Sequence, residues 1–104
     1  MNIRVISFFI LITCQSALGQ NTELSNQFNE AYRSYSDLNS RGRPRQSLEY
    51  AAEALNLYQR LVEEDDETLA SLSYNYALNL VAVGELESAE DEFKKTIRLY
   101  KKTH

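Results

Sequence analysis

Among 104 residues the chain holds one cysteine, one histidine, one proline and three glycines, and it has no tryptophan. Each scarcity excludes something. Cys14 alone cannot form an internal disulfide, and it offers no cluster of thiolates to a metal. The only histidine, His104, is the last residue, where a chain end frays rather than holding a general base in place. Three scattered glycines make no phosphate-cradling loop. Serines are numerous, but none has a histidine near it in the pattern. Carboxylates are abundant, yet they fall on expected solvent faces, with no pair set apart in an apolar pocket. No nucleophile, base and electrostatic stabiliser converge, so the sequence predicts a non-catalytic protein with no metal and no cofactor. A net charge of −4 also argues against nucleic acid or an anionic membrane surface as a partner.

The lone cysteine lies in a distinctive leader. Arg4 supplies a positive start, residues 5–13 form an almost wholly apolar run, and Ala17-Leu18-Gly19 is a small-x-small cleavage site. Residues 1–19 therefore read as a secretory signal peptide, with a run too short to span a bilayer. The expected location is periplasmic or secreted, with no membrane insertion after cleavage. A second reading makes the chain a lipoprotein anchored at Cys14, although Thr13 immediately before the cysteine fits that poorly. Cleavage after Gly19 removes Arg4 and Cys14, leaving residues 20–104 more acidic and free of cysteine. A domain of about 85 residues without staples must rely on its apolar core. No Asn-x-Ser/Thr acceptor occurs, which favours a bacterial envelope over a eukaryotic secretory route.

What remains reads as four amphipathic helices. In the first, residues 21–39, Leu24, Phe28, Ala31, Tyr35 and Leu38 follow three- and four-residue steps, with Asn21 or Thr22 as cap. Residues 39–45 form a turn, in which Gly42 suits a positive φ and Pro44 the first turn of the next helix. Its arginines at 41, 43 and 45 read as a solvated loop in preference to an anion site. The second helix, residues 45–63, carries a broad apolar face: Leu48, Ala51, Ala52, Leu55, Tyr58, Leu61 and Val62. That breadth suits a helix packed on both sides. The acidic run 64–67 lacks the glycine turn and spaced ligands of a calcium loop, so Asp65 or Asp66 is expected to cap a third helix over 68–83. Gly84 then stops that helix before a fourth, 86–102, begins on acidic residues.

The second pair of helices repeats the first at an offset of forty-two residues. Gly42 aligns with Gly84, Tyr32 with Tyr74, Leu38 with Leu80, Leu55 with Ile97, Leu57 with Leu99 and Tyr58 with Tyr100. A fixed period marks stacked units, none of which buries its apolar face alone. The row Asn75, Ala77, Leu80, Gly84, Leu86, Ala89, Phe93, Ile97 and Leu99 resembles the tetratricopeptide repeat (TPR) signature in order and spacing. The period exceeds the usual ~34 residues. It is similar instead to the longer repeats of kinesin light chains, whose second helix continues through a motif like residues 54–58. Lys101 occupies the position of the family's proline. Ser73, Tyr35 and Ser47 depart from the residue types that the family prefers.

The resemblance implies an all-α fold of two stacked helical hairpins, a short α-solenoid, with repeat one at about 28–69 and repeat two at about 70–104. It also implies a role: holding a protein or peptide. In such repeats the first helix of each hairpin lines a concave groove. Carried over by position, that groove would hold Asn29, Tyr32, Ser36 and Asn39 from repeat one, with Tyr74, Leu78 and Val81 from repeat two. Asn75 matches a family asparagine that bonds an extended peptide's backbone, while repeat one has Arg33 there. The other reading of Tyr32 and Tyr74 packs both between neighbouring helices. At the chain's end Phe93, Ile97 and Tyr100 form a row too wide for one neighbour to cover, so an open-end interface is expected. Its cover would be a partner, a second copy of the chain, or further sequence. Two rival roles follow: a self-assembling structural subunit, and the leading interaction module of a larger envelope protein.

Overall fold

The computed structural model describes residues 12–103. Residues 1–11, with Arg4 and most of the apolar leader run, lie outside the described residues, as does His104. Four helices follow one another: α1 (Ile12–Ser40), α2 (Pro44–Leu61), α3 (Glu67–Ala82) and α4 (Leu86–Thr103). None of them is long and apolar enough to cross a membrane. Among the described residues there is no strand.

The two hairpin turns are built alike. Gly42 and Gly84 take φ of 71° and 85°, the left-handed region that costs a glycine little. In each turn the amide after the glycine reaches back to the carbonyl that opens the helix's last turn. Arg43 donates to Leu38 at 3.0 Å, and Glu85 to Leu80 at 2.8 Å. The glycine amides close the inner bond, to Asn39 and to Val81. These are Schellman motifs, which satisfy carbonyls that a helix end leaves orphaned. Pro44 then starts α2, where its missing N–H costs nothing.

The link between hairpins is capped from both sides. Asp66, not Asp65, caps α3: one of its oxygens accepts the Leu69 amide at 2.8 Å and the other the Tyr58 hydroxyl at 2.6 Å. Asp65 instead pairs with Lys102 of α4 at 2.8 Å. The first helix corrects an expectation. It begins by Ile12 and runs straight through Asn21 and Thr22, so neither is its cap.

Among the described residues, helices adjacent in sequence are the ones that touch: α1 with α2, α2 with α3, α3 with α4. Among the described residues α1 and α4 are not backbone neighbours, so this is an open stack and not a closed bundle. Ala31, Ala54 and Leu57, with Leu24 and Phe28 against them, fill the first hairpin. Leu55, Leu69, Ala70, Leu72 and Leu99 form the seam between hairpins, flanked by Phe28, Tyr58 and Tyr76. The second hairpin closes on Ala77 and Ala89, both buried, whose small side chains let α3 and α4 approach.

The residues that depart from the family pattern are buried and partnered. Ser47 and Ser73 are both fully enclosed. Ser73 shares a hydrogen bond with Thr96 at 2.9 Å and donates to the Glu92 carboxylate at 2.7 Å, which sets the register of α3 on α4. Ser47 accepts from the Asn79 amide across the seam. Polar groups in a dry interior are tolerated because each finds a partner. Tyr35, the third departure, is buried in α1 with its ring 5.7 Å from that of Tyr32.

Candidate functional site

The first-helix positions implied by the resemblance all reach the surface. On α1, Asn29, Tyr32, Ser36 and Asn39 are exposed at steps of three and four, so they share one face. Tyr32 is not a free-standing ring, for it stacks on Phe28 at 6.0 Å and meets Tyr35. Burial, and then the adjacent Tyr32, pushes the Tyr35 phenol up from its ordinary value. On α3, Tyr74, Leu78 and Val81 are each 44% exposed, while Asn75 is half-buried beside them. Among the described residues the backbones of α1 and α3 do not approach closely, and α2 packs against both.

Instead, the α3 strip meets the residues expected at the open end. Tyr74 and Phe93 lie with ring centroids 6.0 Å apart. Phe93 is half-buried, whereas Ile97 and Tyr100 are exposed. Thr96 and Leu99 turn inward toward α3 in their place. Because the hairpin is antiparallel, Leu78 and Val81 run from that contact toward the Gly84 turn, and Ile97 and Tyr100 run from it toward the other end. The two strips read separately from the sequence thus meet at Tyr74 and Phe93, in one diagonal apolar face.

Leu86, named in the sequence only as a position of the repeat signature, also belongs to that face. It is 63% exposed in the first turn of α4, seven residues before Phe93 and eleven before Ile97. That spacing was the available signal. Its counterpart in repeat one is Pro44, which conceals the match.

A comparison inside the molecule shows what the face is. Leu55 and Ile97 are equivalent by the forty-two-residue offset, yet Leu55 is 5% exposed and Ile97 54%. Leu55 is covered because α3 docks there through Leu69 and Leu72. The same face of the second hairpin has nothing on it among the described residues.

The turn arginines divide between a local ion pair and a cleft. Arg41 pairs with Asp37 at 3.2 Å, and Arg45 donates to the Val83 carbonyl at 3.3 Å. A shallow cleft between the two turns is lined by Arg43, Pro44, Arg45, Gln46, Ala82 and Val83. Among the described residues no group of three or more histidines, cysteines or carboxylates is placed to hold a metal ion.

Stacked helical hairpins, small residues at the helix contacts and an uncovered apolar face define a class: a short α-solenoid whose surfaces hold other proteins. The chain belongs to the tetratricopeptide repeat family, whose family model matches residues 36–102. Members of that family generally act as non-catalytic scaffolds that bind proteins or peptides. No curated protein and no solved structure matches the chain.

Proposed function

We propose that this protein is an exported, non-catalytic scaffold of the bacterial envelope or its exterior, which captures a protein partner on the second hairpin. The observation that carries the reading is the face shared by Tyr74, Leu78, Phe93 and Ile97. Two rigid helices hold it in place, so little ordering is lost when something docks. Large side chains with few rotamers supply the contact area. The twin Schellman turns at Gly42 and Gly84 support the longer, forty-two-residue type of repeat. Export rests on the leader, with its positive, apolar and small-x-small segments.

Affinity capture from the native envelope fraction tests the interaction. Wild type should retain a protein that the Leu78→Glu variant, altered at an exposed position, does not. Equal retention by both variants would exclude this face as the binding surface.

A further inference from the structure

We propose that the apolar face of the second hairpin is covered by a second copy of this chain, paired about a two-fold axis with the α4 helices antiparallel. The inference rests on the reading of that face as an interaction surface and names its occupant. Three observations lead to it.

The first is what normally covers this face. In the first hairpin, Leu55 and Tyr58 are packed by α3 through Leu69, Leu72 and Tyr76. The equivalents of those three on α1 are Gln27, Glu30 and Ser34. Gln27 and Glu30 are exposed, and Gln27 bonds to Glu23 at 3.0 Å. Among the described residues, the outer face of α1 is therefore polar where that of the second hairpin is apolar. Head-to-tail stacking of copies would press Ile97 against Gln27 and Glu30, stripping water from polar groups with no partner. A filament is disfavoured, and the apolar face matches best with itself.

The second is the charge along α4. Its early turns carry Glu87, Glu90, Asp91 and Glu92 and its later ones Lys94, Lys95, Arg98, Lys101 and Lys102, but most of these turn away from the apolar row, Lys102 onto Asp65. The charges that flank the row are Glu90 early and Lys101 late. Parallel pairing would set like charges together, and an antiparallel pair lays each acidic edge beside a basic one. Helical spacing puts Glu90 and Lys101 along the edge of the apolar row away from α3, and a two-fold between them brings Glu90 of one copy opposite Lys101 of the other. Within its own helix Glu90 meets Lys94, at 3.6 Å and well exposed, a weak bond that gives way easily.

The third is the composition of the face itself. Aromatic and aliphatic residues hold its middle, and Glu90 and Lys101 lie along its α4 edge, as in the dry centre and polar rim of a protein interface.

The test is solution mass, by sedimentation equilibrium over a wide concentration range. Wild type should pass from one chain to two and stop there. Ile97→Glu should weaken pairing about a hundredfold or more, because the symmetry buries two charges in one apolar contact. Ile97 is largely exposed, so helical content should not change. Glu90→Lys and Lys101→Glu should each weaken the dimer about tenfold, and the double exchange should restore it. A wild type that stays monomeric would overturn the proposal, as would assembly beyond two chains or a double exchange no better than either single one. Should the monomeric wild type still lose a captured foreign protein on Ile97→Glu, the face is an interaction surface whose occupant is not a second copy.

Discussion

The side-chain amide of Asn79 on α3 donates to the hydroxyl of Ser47 on α2, and also to the Pro44 carbonyl at 3.2 Å. Ser47 closes the triangle by donating to the same carbonyl at 3.1 Å. Both side chains are enclosed, so this small polar clamp lies inside the seam that stacks one repeat on the other. Apolar area gives that seam its strength, but only a polar clamp discriminates one register from its neighbours.

Asn79→Ala should destabilise the chain by about 1–3 kcal/mol, because it removes the donor to the buried Ser47 hydroxyl and one of the donors to the Pro44 carbonyl. Urea unfolding of Asn79→Ala, Ser47→Ala and the double variant measures it. The two losses should not add, since either change alone breaks the bond. Strict additivity would mean that the clamp contributes nothing.

At Ala89, buried where α3 and α4 approach, a larger side chain must separate the helices. Ala89→Leu should cost about 1–3 kcal/mol, a large share of the stability of so small a domain. Glu87→Leu, on the exposed side of the same helix, should change stability little. Thermal melts of the two variants compare them directly, and equal midpoints would refute the packing at Ala89.

Tyr58 links the seam to the cap of α3 through its 2.6 Å bond to Asp66. Burial first, then that bond, holds its phenol above the ordinary value of 10.0. A raised folded-state value means that the native chain keeps a proton which the unfolded chain releases. The associated stability is complete below about pH 10 and is lost as pH rises through the higher folded value. Tyr58→Phe should lose about 1–2 kcal/mol at neutral pH. It should also show a shallower decline above pH 10. Urea midpoints followed across the alkaline range, beside phenolate absorbance, check both; an unchanged alkaline slope would remove Tyr58 as its source.

The proposed export predicts a processed start. Mass spectrometry of protein taken from its native source should find Gln20, or its cyclised form, as the first residue. A lipid on Cys14 at the N-terminus would replace the soluble form by an anchored one. The Gly19–Gln20 bond lies within α1, so cleavage there needs that stretch to unwind locally.

Much of the architecture is legible in the sequence because it is local. Gly42 and Gly84 take positive φ as their positions after a helix require, Pro44 opens α2, and an aspartate at the start of α3 bonds the amide three residues on. Each depends on the chemistry of a few consecutive residues. The likeness of the two turns is equally local: Gly42 and Gly84 each follow a helix and close it with the same pair of backbone hydrogen bonds.

Tertiary structure alone decided the rest. Leu55 and Ile97 have similar side chains in the same register, yet one is buried and the other bare, because burial belongs to the neighbour and not to the residue. Ser47 and Ser73 look like weak points in a core pattern until Asn79, Thr96 and Glu92 arrive from other helices to bond them. The joining of Tyr74 and Phe93 likewise depends on how closely two helices pack around Ala77 and Ala89. Periodicity states which side chains share a face of one helix; only the packing of two helices determines that their faces meet.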